Sequence, residues 1–114
     1  MKKIILITFL FFAVTIAYSQ TTITTKEAKD HIGETLTVTG KVFDVFTSNK
    51  GRTLINFDDK YPNQTFTVVI NGESNIDFSA VKAGSVLTVN GLIESYKDKP
   101  EIIIKTQDQI IKVE

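Results

Sequence analysis

Residues 51–70, GRTLINFDDKYPNQTFTVVI, read as two β-strands joined by a polar turn. Apolar and polar residues alternate over Arg52–Asp58 and Thr65–Ile70, and this period of two is typical of strands that bury one face. The alternation assigns four residues to a predicted core: Ile55, Phe57, Val68 and Ile70. The opposite side of the first strand carries Arg52, Leu54, Asn56 and Asp58. The hairpin therefore predicts half of a small β-barrel, with an outer row that is a candidate binding surface.

Comparable patterns flank the hairpin. A long strand bent at Gly40 is predicted over Glu34–Phe46, because an interior glycine favours a bend or bulge. Further strands are predicted over Val86–Ile93, with Leu87 and Val89 in the core, and over Glu101–Thr106, with Ile110–Val113 as an edge extension. Short helices are predicted over Thr24–Gly33, capped by Thr25, and over Phe78–Gly84, capped by Asp77. This order predicts an all-β fold with short helices, the five-stranded Greek-key barrel called the OB-fold.

The first 19 residues have the three-part pattern of a secretory signal peptide. Met1-Lys2-Lys3 is a basic start, the apolar run 4–16 follows, and Ala17 and Ser19 are placed as small residues before a cleavage site. The apolar run is shorter than the roughly 20 residues that a permanent membrane helix needs. We therefore predict cleavage after Ser19, export to the periplasm or the medium without a stable membrane anchor, and a single domain over residues 20–114. The alternative is an uncleaved N-terminal anchor.

Composition limits the chemistry of this domain. The chain has no cysteine, so neither disulfides nor thiolate chemistry are available, and the core alone must stabilise the fold. Removing Lys2 and Lys3 with the signal leaves 11 basic against 13 acidic residues, a net charge of −2. Overall charge therefore gives no argument for nucleic acid, and any basic surface has to be local.

Three stretches carry a resemblance to a known family: residues 33–42 (GETLTVTGKV), 53–58 (TLINFD) and 86–93 (VLTVNGLI), the last followed by 96–102 (YKDKPEI). They resemble OB-fold nucleic-acid-binding domains of the tRNA-anticodon-binding type, and most of all short exported bacterial OB domains. The resemblance covers residues 34–110. It implies that single-stranded nucleic acid binds on strands two and three, where Leu54 aligns with a base-stacking Phe and Asn56 with a polar residue that contacts bases.

Such domains bind through strands two and three and the loops that join strands one to two and four to five. Cations and aromatic residues in these places are typical of a single-strand groove, where cations follow phosphates and rings stack on bases. The predicted binding residues are Lys41, Phe43, Lys50, Arg52, Leu54, Asn56, Tyr96, Lys97 and Lys99. The predicted function is weak, sequence-tolerant binding of single-stranded nucleic acid. The alternatives are a module that binds an envelope protein, an oligosaccharide or a small cation, and a stress-related periplasmic protein without nucleic-acid activity.

The titratable residues do not indicate an enzyme. His31 is the single histidine, so neither a Ser-His-Asp nor a Cys-His arrangement is expected. Arg52 is the single arginine, whereas exported OB-fold nucleases clamp phosphate with two. Asp58 and Asp59 offer oxygens to a Ca²⁺ ion, but their spacing does not match an EF-hand loop. We therefore predict neither catalysis nor a cofactor nor a metal, while the edge at Thr106–Val113 is a candidate contact between copies.

Overall fold

The computed structural model describes residues 21–114, and the predicted signal peptide lies outside them. Eight strands and two short 3-10 helices form in this part of the chain, so the predicted all-β class is confirmed. The strands are β1 (Thr22–Thr24), β2 (Thr35–Thr47), β3 (Thr53–Phe57), β4 (Phe66–Ile70), β5 (Val86–Leu92), β6 (Glu94–Tyr96), β7 (Lys99–Ile104) and β8 (Ile110–Val113). The 3-10 helices span Thr25–His31 and Gln107–Gln109. No helix within residues 21–114 is long and apolar enough to cross a membrane.

The strands form one sheet in the order β6-β7-β4-β3-β2-β5-β8, with β1 added in parallel to β2. β4 and β7 are also parallel, and every other neighbouring pair in this order is antiparallel. All five predicted strands are present, and β8 is the edge extension predicted over Ile110–Val113. The five-stranded Greek-key barrel is not confirmed in that form, because the sheet has eight strands in the described part of the chain. Only Ile93 separates β5 from β6, although they stand far apart in this order.

The long strand β2 pairs with two neighbouring strands, β5 and β3. Its residues Thr35–Lys41 pair with β5, and its residues Val42–Thr47 pair with β3. The pairing with β3 changes register between Val42 and Asp44, which leaves Phe43 as the extra residue of a β-bulge. The bulge therefore lies three residues after Gly40, the residue at which the bend was predicted.

Gly40 has a different role from the predicted bend. A Cβ atom at this position would lie 2.8 Å from Thr25 Oγ1 and closer still to its Cγ2 atom. Glycine thus allows the first 3-10 helix to pack directly on β2. Thr25, which was predicted to cap this helix, is instead its first residue and is buried.

The core includes the predicted inward residues together with others, such as Ile102 and Ile104 on β7. Ile55, Phe57, Val68, Ile70, Leu87 and Val89 are all buried, which confirms the assignment of faces in the hairpin and in β5. The rings of Phe57 and Phe66 meet edge to face with centroids 5.3 Å apart. Burying each large apolar side chain contributes about 1.5–3 kcal/mol, so these residues stabilise the fold through the apolar surface that they remove from water.

The two predicted helices have opposite outcomes. The first begins after Thr24, whose backbone N–H donates to Glu27 Oε1 at 2.9 Å, and Gly33 follows its end with a φ of 93°. The second prediction, Phe78–Gly84, is wrong, because this segment contains turns and no helix. Asp77 Oδ1 accepts from the backbone N–H of Ser79 at 3.0 Å, which is a local turn that competes with a helical start.

Candidate functional site

A groove of about 700 Å³ lies on the outer face of β2, β3 and β4. Residues of these strands form its floor, the loop between β3 and β4 forms one wall, and the turn between β6 and β7 forms another. This is the face of the second and third predicted strands, where the OB pattern places a ligand.

A polar row crosses the groove floor from strand to strand. Backbone register aligns one residue from each of β2, β3, β4 and β7: Asp44, Asn56, Thr67 and Glu101. Asn56 Nδ2 donates to Asp44 Oδ1 at 2.9 Å, and the Thr67 hydroxyl donates to Asn56 Oδ1 at 3.3 Å. Gln64 extends the row, because its Nε2 donates to Thr67 Oγ1 at 3.2 Å. Asn56, Thr67 and Gln64 are buried, so these bonds replace contacts with water.

Glu101 is the buried acid of the groove, with 8% of its surface exposed. Desolvation by burial raises the pKa of Glu101, the positive charge of Arg52 opposes this rise, and the negative charge of Glu94 adds to it. Glu94 is the cross-strand partner of Glu101 on β6. Ionisation of Glu101 in the folded protein therefore costs free energy, and the attraction of Arg52 offsets only part of this cost.

An apolar row runs beside the polar one. Register aligns Phe46, Leu54, Val69 and Ile103 on β2, β3, β4 and β7. Val69 is fully buried, whereas Phe46 and Leu54 line the groove. The groove thus offers an apolar surface and a hydrogen-bonding surface side by side, which suits a ligand with a flat apolar face and a polar edge.

Three exposed aromatic rings surround the groove. Phe46 on β2, Tyr61 in the loop between β3 and β4, and Tyr96 on β6 all line it. They remain 56%, 53% and 48% exposed, respectively. Because burying such rings is favourable, a cluster of exposed rings at one concave surface is typical of a binding surface.

Positive charge also converges on this surface. Four cations and two carboxylates line the groove: Arg52, Lys60, Lys97, Lys99, Asp44 and Glu101. Lys97 Nζ lies 5.4 Å from the ring centroid of Tyr96, and Lys99 Nζ donates to the main-chain oxygen of Gln64 at 3.1 Å. The groove is thus cationic by two formal charges, although residues 20–114 have a net charge of −2.

The turn that carries Lys97 is held in an unusual backbone conformation. Lys97 and Asp98 have φ angles of 51° and 65°, and they connect the paired strands β6 and β7. A two-residue hairpin of this type requires positive φ at both central positions, which normally selects Asn or Gly. A non-glycine residue pays about 1–3 kcal/mol for such a conformation, and strain of this kind is concentrated at functional sites.

The structure brings together six of the nine predicted binding residues at the groove: Arg52, Leu54, Asn56, Tyr96, Lys97 and Lys99. The other three, Lys41, Phe43 and Lys50, do not line it. Lys50 lies in the turn between β2 and β3, and Lys41 lines a separate depression of about 380 Å³ beside Thr25. The groove therefore does not include these three predicted residues.

The β-bulge explains why Phe43 lies outside the groove. Simple alternation along β2 places Lys41 and Phe43 on the outer face, but the extra residue of a bulge reverses the side on which later residues lie. Beyond the bulge it is Asp44 and Phe46 that face the groove. No sequence signal distinguishes Phe46 from Phe43 unless the bulge is known.

Asp58 does not belong to the outer row of β3, where alternation placed it. Its φ of 72° turns the chain after Phe57, and its Oδ2 accepts from the hydroxyls of Thr25, at 2.7 Å, and Thr65. Asp58 therefore ties the first 3-10 helix to the strand end. Within residues 21–114, no group of three or more His, Asp or Glu side chains is placed to hold a metal ion.

The loop between β3 and β4 was predicted only as a turn, yet it supplies Lys60, Tyr61 and Gln64 to the groove. Exposed lysine and tyrosine in a turn are common, so the sequence carries no signal for them. Gln64 and Glu101 were also missed, because burial of a polar residue beside a strand end depends on neighbours that are distant in sequence.

No family model matches the chain, and no curated protein matches it. Among solved structures, the chain is similar to a crystal structure described as that of an aspartyl-tRNA synthetase from Leishmania major Friedlin. The TM-score is 0.56 at 12% sequence identity, and the match covers 85% of this chain and 22% of that chain. The chain thus spans about a fifth of the length of the synthetase. At this identity the likeness concerns the fold alone, and it agrees with an OB-like arrangement of strands.

Proposed function

We propose that this chain is an OB-type binding protein, without catalytic activity of its own, whose groove holds single-stranded nucleic acid weakly. The observation that carries the proposal is the ring of exposed aromatic side chains, Phe46, Tyr61 and Tyr96, around a cationic groove. Stacking of a base on an aromatic ring contributes about 1–3 kcal/mol and tolerates any base, because every base has a flat face. The fold likeness to part of a protein named as a tRNA synthetase supports the same ligand class.

The barrel is part of this proposal. β6 pairs with β7 at one end of the strand order, and β5, which pairs with β2, continues into β6 after Ile93 alone. A sheet whose end strand, β6, follows directly in the chain from β5, near the opposite end, curls on itself, as an OB barrel does. The Greek-key barrel would then consist of β2, β3, β4, β7 and the joined β5 and β6.

The binding experiment compares two phenylalanines on the same strand. Fluorescent single-stranded DNA and RNA are titrated at low salt against the wild type, Phe46→Ala, Phe43→Ala and Tyr96→Ala. Phe46 lines the groove and Phe43 does not, although both are exposed. We expect Phe46→Ala and Tyr96→Ala to weaken binding about fivefold to a hundredfold, the loss of one stacking contact. We expect Phe43→Ala to bind as the wild type does.

Two results would contradict the proposal. If neither DNA nor RNA binds at low salt, the groove has another ligand. If Phe43→Ala weakens binding as much as Phe46→Ala, the nucleic acid lies elsewhere on the surface. Thermal unfolding of each variant, followed by circular dichroism, separates lost binding from lost folding.

Export forms the last part of the proposal and depends on the pattern of residues 1–19. Expression of the full chain in a bacterial host tests it directly. We expect N-terminal sequencing of the exported protein to begin at Gln20. Retention of Met1 on protein found in the cytoplasm would contradict export.

A further inference from the structure

The hydrogen bonds of the polar row run in one direction. A carboxylate only accepts hydrogen bonds, so Asp44 requires the Nδ2 of Asn56 to point toward it. The oxygen of that amide then accepts from Thr67, and the hydroxyl of Thr67 in turn accepts from the Nε2 of Gln64. The charge of Asp44 at one end therefore determines the orientation of the Gln64 amide at the other end.

This direction leaves acceptors without partners. Gln64 Oε1 is buried, in a residue only 4% exposed, and has no hydrogen-bond partner. Turning the amide over would not help, because the proton of Thr67 is already donated to Asn56. Asp44 is half-buried, and among residues 21–114 its Oδ2 has no hydrogen bond or ion pair, so this oxygen accepts from water or from a ligand in the groove. Buried polar atoms are almost always paired in native proteins, so the unpaired Oε1 of Gln64 in the groove wall indicates that a ligand brings a donor to the polar row.

A stacking surface lies next to these acceptors. Asp44 and Phe46 are two residues apart on β2 beyond the bulge, so both face the groove at a spacing of about 7 Å. A base stacked on the exposed ring of Phe46 is therefore close enough to direct one edge toward Asp44.

We propose that the polar row selects bases that carry an exocyclic amino group, with the base stacked on Phe46 and its amino group donating to Asp44. This inference rests on the proposed function. Cytosine and adenine present the amino groups N4 and N6 as donors, whereas uracil and thymine present the O4 carbonyl at the same place. A carbonyl directed at a carboxylate repels it and leaves the acceptors unpaired. The groove thus tolerates any sequence along the strand but prefers amino-bearing bases at one position.

The first test changes the ligand and leaves the protein intact. Oligomers of deoxycytidine and deoxyuridine are compared by fluorescence anisotropy, and so are oligomers of deoxyadenosine and of purine deoxyriboside, which lacks the N6-amino group. We expect each amino-bearing oligomer to bind about tenfold more tightly than its counterpart, the effect of one hydrogen bond to a charged acceptor. If all four bind equally, the selection is absent but the proposed function stands. If none binds, both fail.

The second test changes the selecting residue. Asp44→Asn can present either an oxygen or an amide N–H, so the row is no longer held in one direction. We expect this variant to bind the deoxyuridine and deoxycytidine oligomers equally. Asp30→Asn is the matched control, because it removes the same charge from an exposed position on the first 3-10 helix, and it should keep the tenfold preference. A preference that survives Asp44→Asn would assign the selection to another residue and overturn the inference.

Discussion

Glu101 shows how one buried side chain makes stability depend on pH. Burial raises its pKa in the folded protein, so folding favours the protonated form. The free energy of unfolding is therefore highest below the ordinary pKa of a glutamate, and it falls as the pH rises through the raised value. We predict that Glu101→Gln increases this free energy at neutral pH and makes it less dependent on pH between about 4 and 7.

Urea denaturation of the wild type and Glu101→Gln at a series of pH values measures this effect. Glu73→Gln is a suitable control, because it makes the same substitution at an exposed loop residue. Glu101→Gln also removes a negative charge from the groove, so this variant should bind oligonucleotides more tightly than the wild type. Equal stability of wild type and Glu101→Gln across this range would show that the ionised carboxylate carries no penalty.

At the scale of elements, the contact between the first 3-10 helix and β2 depends on Gly40. Thr25 is buried and branched at Cβ, so its side chain has little freedom to move away from an added methyl group. We predict that Gly40→Ala lowers the free energy of unfolding by about 1–3 kcal/mol, the usual cost of overpacking. Chemical denaturation of Gly40→Ala, Thr25→Ala and the double variant forms a double-mutant cycle. The double variant should be more stable than the sum of the two single effects predicts, and strict additivity would contradict the contact.

The strands were predictable because alternation reports a local fact, which face of a strand is buried. The hairpin of β3 and β4 followed its pattern, and so did its four core residues. The sequence located the bulge in β2 only to within a few residues. Because a bulge reverses which side the later residues face, Phe46 lines the groove and the predicted Phe43 does not. The helix predicted over Phe78–Gly84 failed because a segment of one or two turns gains little from helix formation, while the turn at Asp77 is available locally.

The groove itself is a property of the whole molecule. Its lining comes from five strands and from the three connections β2–β3, β3–β4 and β6–β7, which are distant in sequence. The sequence therefore predicted the strand face but not the residues of the β3–β4 loop. The same assembly concentrates four of the 13 basic residues of the chain at one surface. A chain with a formal net charge of zero thereby gains a local cationic site, and this predicts how binding responds to salt.

Single-stranded nucleic acid releases about 0.7 counterion for each phosphate that a cation neutralises. With four cations at the groove, we predict that the logarithm of the binding constant falls with the logarithm of salt concentration with a slope no steeper than about −3. Lys97→Ala should reduce this slope by about 0.7, since Lys97 lies at the rim beside Tyr96. Lys50→Ala should leave it unchanged, because Lys50 lies outside the groove. Titration of a labelled oligonucleotide at about 50–200 mM salt measures the three slopes, and an equal loss in both variants would mean that binding follows overall charge instead of this groove.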